Sequence, residues 1–372
     1  MKLKLLKILC CPNCQKDFSW KSFKEQDGEI IDGILFCDCG TVFPVINFIP
    51  RIFFNALKEN KVFAGKYFNL LKGYLGKNNE NFSEVKKERK NKESFEFEWL
   101  NYNLEMGNEK DIFLEETQIP AGLWPGKLVL DVGCGMGRFT KIPLQLGAKV
   151  VAMDLGLGVE NAFKHLQSLP NCHIVQADLM FPPFKKKTFE IVYSLGVLHH
   201  TRDTKTAFSK ISQLVKEGGF ASIWVYGRAG RYKDFITNPL RANRERLGKI
   251  LYQFPFNGVF WLMVKTRETV SNFLRLFTTR MPVKLLYYFC YLLSFLGKAP
   301  IIKYFTFSVL PDWKARVWEN FDWLSPVFQQ HHTKEEVIAW FKEEGFSELT
   351  VLPHGLIPKP GVRGKKKNSL TK

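Results

Sequence analysis

The chain has 372 residues, of which 45% are hydrophobic and 24% are charged, as in ordinary globular proteins. At about 100–200 residues per domain, this length predicts two or three domains. The net charge of +18 favours contact with RNA, phospholipid headgroups or a phosphorylated substrate, although a solvated basic surface would also account for it. The longest apolar runs, at residues 251–264 and 285–297, fall short of the roughly 18–20 residues that cross a bilayer. We therefore do not expect a membrane-spanning segment.

Cysteines are concentrated near the N-terminus, in two pairs formed by Cys11 with Cys14 and by Cys37 with Cys39. No secretory signal precedes them, so a reducing cytosol is the expected compartment, where clustered cysteines indicate metal rather than disulfides. Two thiolate pairs at this separation suit a tetrahedral zinc site. Four protein ligands leave no open position, which predicts a structural role. Cys10 is a spare thiol.

The chain predicts a small module over residues 1–54, followed by a polar, mostly helical linker or cap over residues 55–124. From residue 127, short apolar runs alternate with segments of helical spacing, which indicates βαβ units around a parallel sheet. The domain with this pattern covers residues 125–227. Its predicted strands are at residues 127–132, 149–153, 173–177, 189–194 and 220–226, and its predicted helices are at 138–146, 159–166 and 204–215.

A helical, aromatic and basic insert over residues 228–320 interrupts this alternation. The α/β pattern resumes over residues 321–358, where Thr333 and Glu336 predict a capping box for a helix at 334–344. A strand near residues 348–352 follows, and residues 359–372 form a basic tail that we expect to be loosely ordered at its end. The basic residues of the insert are Arg231, Lys233, Arg241, Arg244, Arg246, Arg267 and Arg275.

A glycine-rich turn directly follows the first strand of the α/β domain and opens a helix. Its glycines, Gly133, Gly135 and Gly137, allow a tight turn and close approach of a ligand to the backbone. A dinucleotide fingerprint would need glycine at position 138, which is Arg138. Asp131 also stands just before the turn. This pattern favours a ligand with an amino-acid end over a pyrophosphate.

Two further acids follow the next two strands. Asp154 can accept hydrogen bonds from both hydroxyls of a ribose, and Asp178 can accept one from an adenine amino group. Carboxyl ends of parallel strands meet at one edge of a sheet, where ligands bind in open α/β folds. A lone aspartate after a strand is usually a helix cap, but three in order along the chain favour a ligand site.

These motifs resemble those of class I S-adenosylmethionine-dependent methyltransferases over residues 125–227 and again over about 320–352. The segments are VLDVGCGMGRFT, VVAMDL, IVQADLMFPPF, FEIVYSLGVLHH and LVKEGGFASIWVYG. The resemblance implies an α/β fold with a Rossmann-like, mostly parallel sheet flanked by helices, and S-adenosylmethionine as cofactor. It places Asp131, Gly133, Cys134, Gly135 and Gly137 at the methionine part, Asp154 and Leu155 at the ribose, Asp178 and Leu179 at the adenine, and Ser194 and Leu195 near the sulfonium.

Methyl transfer needs a base only where the acceptor must lose a proton. His199 and His200, which follow the fourth strand, are the best-placed candidates for catalytic residues, because imidazole titrates near neutrality. In the family that the sequence resembles, this pair often packs or positions other groups, and that alternative stays open. Tyr226 ends the fifth strand and is a candidate to face the substrate.

The N-terminal module resembles the small zinc-binding partner subunit of certain tRNA and protein methyltransferases, through residues 5–14 and 35–49. The second cysteine pair departs from that family, because it reads C-x-C-G where C-x-x-C-G is usual. The resemblance supports zinc at Cys11, Cys14, Cys37 and Cys39 and leaves a metal-free remnant as the alternative.

The insert is the expected lid and source of substrate specificity. We expect a small-molecule or lipid-like acceptor, because the apolar runs of the insert are longer than RNA binding requires. The insert would also allow peripheral contact with the inner face of a membrane. A tRNA or rRNA substrate, a protein substrate and a non-catalytic cofactor-binding scaffold are the alternatives.

Overall fold

The computed structural model describes residues 1–74, 86–101, 107–228, 231–232, 255–299, 308, 312–353 and 359–368. Lys233, Arg241, Arg244 and Arg246 of the insert lie outside the described residues.

One sheet of eleven strands runs through the described part of the chain, in the order β1-β2-β3-β4-β7-β6-β5-β8-β9-β11-β10. The six strands from β4 to β9 in this order are parallel to their neighbours, and the strands at both ends are antiparallel. The bounds are β1 Ser19–Gln26, β2 Glu29–Phe36, β3 Val42–Ile46, β4 Ile49–Ile52, β5 Leu128–Val132, β6 Lys149–Asp154, β7 Cys172–Ala177, β8 Phe189–Leu195, β9 Val215–Trp224, β10 Phe346–Val351 and β11 Gly361–Lys366. The predicted α/β fold with a mostly parallel central sheet is confirmed.

Helices cover the faces and one edge of the sheet. Their bounds are α1 Ala56–Glu59, α2 Lys61–Lys66, α3 Phe68–Leu71, α4 Lys86–Asn101, α5 Glu109–Thr117, α6 Lys141–Gln145, α7 Gly158–Leu166, α8 Thr204–Ser212, α9 Phe256–Thr278, α10 Val283–Leu296, α11 Trp313–Leu324 and α12 Lys334–Glu343. The central strands β5, β6 and β8 are almost entirely buried, as expected for parallel strands covered on both faces. None of the described helices is long and apolar enough to cross a membrane.

The N-terminal module is part of the main sheet. Its last strand, β4, pairs in parallel with β7, so that Arg51 lies opposite Gln176. The Arg51 side chain is only 1% exposed, donates a 2.8 Å hydrogen bond to Gln176 Oε1 and forms an ion pair with Glu160. Because a buried guanidinium without partners is costly, these two contacts stabilise the junction. The module is therefore held in a defined position beside β7, the strand that directly precedes Asp178.

Three local expectations differ from the structure. The predicted helix at 138–146 begins at Lys141, since Gly137 has a φ of +84° and Pro143 has no N–H to donate to residue 139. The predicted strand at 220–226 spans Val215–Trp224 instead. The basic tail contains β11, which lies between β9 and β10 and which sequence analysis did not predict. The predicted capping box is present, with Thr333 Oγ1 accepting from Glu336 N at 3.3 Å.

Candidate active site

A cavity of about 240 Å³ opens at the carboxyl ends of β5, β6, β7 and β8. Strand order reverses between β5 and β8, and ligands of open α/β sheets bind at this kind of switch point. Nine of the residues predicted from sequence line the cavity: Asp131, Gly133, Cys134, Asp154, Leu155, Asp178, Leu179, Leu195 and His200. The structure therefore brings together, in one place, the acids that follow three different strands.

The glycine-rich turn has the left-handed backbone that glycine adopts most readily. Gly133, Gly135 and Gly137 have φ values of +81°, +53° and +84°. A Cβ on Gly135 would lie 2.9 Å from the ring of Trp99, which belongs to α4 and lies over the turn. Gly135 and Gly137 do not line the cavity, so their predicted contact with the cofactor stays a prediction.

Asp131 is buried at the end of β5 and accepts a 2.7 Å hydrogen bond from Thr140 Oγ1. Burial raises the pKa of Asp131 to about 7, although the Thr140 hydroxyl favours the ionised form. The hydroxyl fixes one carboxylate oxygen, and the side chain reaches the cavity wall. A cationic amino group in the cavity would lower the pKa of Asp131 and pair with it.

Asp154 connects the glycine-rich turn to the start of α7. Its Oδ2 accepts from Gly135 N at 2.9 Å, and its Oδ1 accepts from Gly156 N at 2.8 Å. Each carboxylate oxygen has a second lone pair, so two further donors can bind. Two adjacent ribose hydroxyls are a donor pair of this kind. The structure thus gives Asp154 a structural role in addition to the predicted ligand role.

Asp178 accepts a 2.8 Å hydrogen bond from Met180 N, at the turn that follows β7. Burial raises the pKa of Asp178, and the Met180 amide acts in the opposite direction. Gln176, two residues earlier in β7, donates a 2.8 Å hydrogen bond from Nε2 to the carbonyl of Leu155. This bond ties the ends of β6 and β7 together, which fixes the distance between Asp154 and Asp178.

Ser194 lies near the end of β8, where sequence analysis placed it. Its side chain is fully buried and donates a 3.0 Å hydrogen bond to the carbonyl of Val132, which joins β8 to β5. It does not line the cavity, whereas the next residue, Leu195, does. The predicted contact of Ser194 with the cofactor stays a prediction.

The two histidines have different surroundings. His199 is fully buried, stacks on Tyr226 at 3.8 Å between ring centroids and accepts from Tyr226 N through Nδ1. It does not line the cavity, so packing explains it best. His200 does line the cavity and lies 3.1 Å through Nδ1 from the carbonyl of Phe328. Because a carbonyl only accepts, Nδ1 carries the proton and Nε2 of His200 carries a lone pair.

Asp322 of α11 is the cavity residue that sequence reasoning missed. Its Oδ1 lies 4.0 Å from His200 Nε2, and its Oδ2 accepts a hydrogen bond from the Tyr226 hydroxyl. The side chain is about 30% exposed, at the cavity wall. The nearby Glu98 carboxyl is buried, and burial together with the charge of Asp322 raises its pKa well above the usual value. Burial also raises the pKa of Asp322, while the Tyr226 hydroxyl favours the ionised form of Asp322.

The cover of the cavity comes from α4, within the stretch predicted as linker or cap. Phe95 and Trp99 line the cavity from this helix. Asn91 holds the helix in place, because its Nδ2 donates to the His200 carbonyl at 2.9 Å and its Oδ1 accepts from Val327 N at 2.9 Å. Helix α4 therefore contributes Phe95 to the part of the cavity beside His200 and Trp99 to the part beside the glycine-rich turn.

Comparison with protein families matches residues 130–223 to the family described as "Methyltransferase domain". This range covers β6 to β8, most of β5 and β9, the glycine-rich turn and all three acids. Residues 130–223 form a methyltransferase domain.

Relatives of the methyltransferase domain differ in the substrates that their names indicate. One is the "Probable tRNA methyltransferase 9B" of Mus musculus, 26% identical over 30% of this chain and 24% of the mouse protein. A second is a sterol 24-C-methyltransferase of Gibberella zeae, 29% identical over 28% of each chain. A third is an uncharacterized protein of Methanocaldococcus jannaschii, 30% identical over 36% of this chain and 59% of that protein. The chain thus spans between a quarter and three fifths of the length of these relatives.

Two arginines of the insert beside the methyltransferase domain are not surface residues. Arg267 is only 5% exposed and lies over the ring of Trp323 at 4.9 Å. Arg275 donates from Nη2 to the carbonyl of Pro326 at 2.8 Å and from Nε at 3.1 Å. Both residues position the segment that leads to Phe328 and the cavity, so neither adds to an exposed basic surface.

The four predicted metal ligands come together at the N-terminal end of the sheet. Sγ atoms of Cys11, Cys14, Cys37 and Cys39 all lie within 4.8 Å of one another. The Cys11–Cys39 and Cys14–Cys37 Sγ distances are 3.6 Å and 3.3 Å, and a zinc–sulfur bond of about 2.3 Å places tetrahedral sulfurs about 3.8 Å apart. The irregular second pair therefore fits zinc, and Cys10 points to Gln15 instead.

Proposed function

We propose that this protein is an S-adenosylmethionine-dependent methyltransferase that acts on a small-molecule or lipid-like acceptor. The observation that carries the proposal is that one cavity contains Asp131, Asp154 and Asp178. The same cavity includes a region beside His200 and Asp322, which we call the acceptor end. The names of the relatives, which include a tRNA and a sterol methyltransferase, support the reaction class.

Each acid has a proposed role toward the cofactor, which supplies an electrophilic methyl group when it is bound. Asp131 would pair with the amino group of the methionine part, and the turn from Gly133 to Cys134 would face its carboxylate. Asp154 would bind the ribose hydroxyls through the lone pairs that Gly135 and Gly156 leave free. Asp178 would accept from the adenine amino group, with Leu179 against the ring.

Asp322 and His200 would serve the acceptor. An acceptor hydroxyl or amine must lose a proton during transfer, and a base within hydrogen-bond distance can take it. Asp322 is held in one orientation by the Tyr226 hydroxyl, and it lies beside the lone pair of His200 Nε2. Burial lowers the pKa of His200 to about 3, so the imidazole is neutral near pH 7. We therefore assign proton acceptance to Asp322 and its positioning to the Tyr226 hydroxyl, while the neutral His200 borders the same part of the cavity.

The lining supports an apolar acceptor of limited size. Phe95 and Phe328 lie beside His200 at the acceptor end, whereas Trp99 and Val197 lie against the glycine-rich turn. Such a lining favours burial of an aliphatic or aromatic body around a single polar reactive group. An RNA base would also stack on aromatic rings. Binding of RNA, however, additionally needs a protein surface beside the cavity that accommodates the phosphate backbone.

A tRNA or rRNA acceptor is the second candidate. The net charge of +18 and the relative named for tRNA favour it. Binding to RNA would weaken steeply as salt rises from about 50 to 200 mM, because phosphate contacts release counterions. Turnover of an apolar small molecule would change much less over the same range.

Zinc at the four cysteines is proposed as structural. Four thiolates complete a tetrahedral site and leave no position for substrate. The site lies in the module whose strand β4 pairs with β7, so bound zinc would stabilise the strands beside Asp178.

The test is transfer of a labelled methyl group from S-adenosylmethionine in host extract, followed by separation into RNA, protein, organic-soluble and water-soluble fractions. Label in the organic-soluble or small-molecule fraction is expected. Label in RNA would replace the proposed acceptor by the second candidate. Cofactor binding without transfer to any fraction would favour a non-catalytic scaffold. The Asp322→Asn variant is the matched control for background transfer.

A further inference from the structure

Helix α9 has an unusual distribution of polar and apolar residues. Its buried face includes Asn257, Arg267, Ser271 and Thr278. A helix that packs on a core normally buries its apolar face and exposes its polar one. This helix buries Phe260 and Val264 together with those polar residues, and its opposite face is apolar too. Residues that are 40–59% exposed form an apolar stripe there: Phe256, Val259, Leu262, Val270, Phe273 and Phe277.

Helix α10 has the same feature. Leu286 and Cys290 are buried against Val317 and Phe321 of α11. The opposite side is apolar as well, and its residues recur every three or four positions, which places them on one face. These residues are 46–66% exposed and comprise Leu285, Tyr288, Leu292, Phe295 and Leu296.

Both apolar stripes face away from the rest of the protein. The helices are joined by only four residues, 279–282, and both pack on α11; we call this pair of helices the α9–α10 hairpin. Thr278 Oγ1 donates to the Leu324 carbonyl at 2.8 Å, which fixes the end of α9 on α11, and α10 packs on the same helix. The exposed faces lie on the opposite side of each helix. Together they make an apolar surface larger than single exposed side chains explain.

The charges around this surface are almost all positive. Residues 255–299 contain one acid, Glu268, and six Lys or Arg residues, of which Arg267 and Arg275 are bound within the protein. Arg280 is exposed in the turn of the hairpin, and Lys284 and Lys298 are exposed near the two ends of α10. A basic rim around aliphatic and aromatic side chains matches the surface of a bilayer that contains anionic phospholipids.

We infer that the α9–α10 hairpin is an interfacial membrane-binding surface, which lies on bilayers containing anionic phospholipid and inserts its apolar stripes among the headgroups. A second copy of this chain fits less well, because two hairpins with the same positive rim would repel each other across a symmetric contact. RNA also fits less well, because aliphatic side chains, rather than cations, occupy the exposed centre.

The surface is close to the cavity. Trp318 and Phe321 of α11 pack toward the hairpin, while Asp322 of the same helix lines the cavity. One helix therefore separates the proposed bilayer contact from the acceptor end. If the proposed function holds, an amphiphilic acceptor would reach Asp322 from the membrane surface.

The experiment is flotation of the full chain with vesicles of phosphatidylcholine alone or with about 30 mol% phosphatidylglycerol, without cofactor. The test variant combines Phe273→Ser, Phe277→Ser and Leu292→Ser. The control combines Val62→Ser, Phe68→Ser and Leu70→Ser, which are also exposed apolar residues but lie on α2 and α3. We expect the parent and the control to float with anionic vesicles, and the test variant to lose at least about tenfold in vesicle affinity. A second variant, Arg280→Gln with Lys284→Gln and Lys298→Gln, should bind anionic vesicles more weakly and lose the dependence on phosphatidylglycerol.

The inference would be overturned if the parent does not float, or if the test variant and the control float equally. It would also be overturned if the parent binds no vesicles and instead forms a dimer in analytical ultracentrifugation that the test variant does not form. Circular dichroism and cofactor binding of each variant verify the fold. Vesicle binding by a protein that transfers no methyl group would remove the proposed function and leave this inference intact.

Discussion

Substitution of Asp154 by Asn tests the cofactor site most informatively among single changes. The carboxylate now accepts from Gly135 N at 2.9 Å and Gly156 N at 2.8 Å, and it is proposed to accept from both ribose hydroxyls. An amide of the same shape keeps one oxygen and turns an NH₂ group toward the other donors. Charge-assisted hydrogen bonds contribute about 1.5–3 kcal/mol each, so we expect cofactor affinity to fall by about 2 kcal/mol, or about 30-fold in Kd.

Isothermal titration calorimetry measures the change in affinity, and urea unfolding measures stability. Stability should fall by about 1–2 kcal/mol, because one buried backbone N–H loses its acceptor. Asp203→Asn is the matched control, since Asp203 also accepts from a backbone amide, Thr206 N at 3.0 Å, but caps α8 outside the cavity. It should lose about 1 kcal/mol of stability and no cofactor affinity. A folded Asp154→Asn protein with unchanged Kd would refute the ribose assignment.

Three other changes are expected to have separate effects. Asp322→Asn should lower kcat on the order of 100-fold with unchanged cofactor Kd, whereas Asp312→Asn, at the exposed N-cap of the same helix, should leave kcat unchanged; equal rates for the two variants would exclude Asp322 as the proton acceptor. Cys14→Ser should release zinc and lower Tm, as measured by elemental analysis and calorimetry, whereas Cys10→Ser should retain zinc; a parent protein free of zinc after metal-replete expression would contradict the metal assignment. Acidification from pH 7 to pH 5 should lower the free energy of unfolding, because the pKa of His200 is about 3 in the folded protein and about 6.5 when unfolded, so the unfolded chain binds a proton that the folded one does not. This stability is fully present above pH 6.5 and is lost as the pH falls, by about 2 kcal/mol at pH 5. In urea unfolding, His200→Gln should reduce the loss of unfolding free energy between pH 7 and pH 5 by that amount. A pH dependence equal to that of an exposed-site control, His165→Gln, would contradict the role assigned to His200.

The acids of the cofactor site were predictable because each depends on local sequence. Asp131, Asp154 and Asp178 each follow a short apolar run, and parallel pairing brings such positions to one edge of the sheet. The capping box at Thr333 was equally local. Signals of this kind need only a few neighbouring residues.

The acceptor end was harder to predict because its contacts join distant parts of the chain. Tyr226 and Asp322 are 96 positions apart, and Asn91 bonds to the backbone of residues more than 100 positions away. No spacing rule relates α4, β9 and α11. Ser194 shows another limit, because its place near the end of β8 does not reveal that its hydroxyl binds the carbonyl of Val132 inside the sheet.

The join between the N-terminal module and the main sheet was also missed. Sequence analysis treated residues 1–54 as a separate module, since the two cysteine pairs dominate its pattern. Pairing of β4 with β7 depends on Arg51 meeting Gln176, which are 125 positions apart. The same reason applies to β11, whose short, basic sequence has no strand pattern and whose pairing with β9 is decided by tertiary contacts.

Equilibrium dialysis of labelled S-adenosylmethionine against the parent protein tests the central claim most directly. The account predicts saturable binding of one molecule per chain, displaced by S-adenosylhomocysteine and not by NAD, because Arg138 replaces the glycine that a pyrophosphate would need. Displacement by NAD, or no saturable binding by a folded protein, would contradict the assignment of this cavity to S-adenosylmethionine.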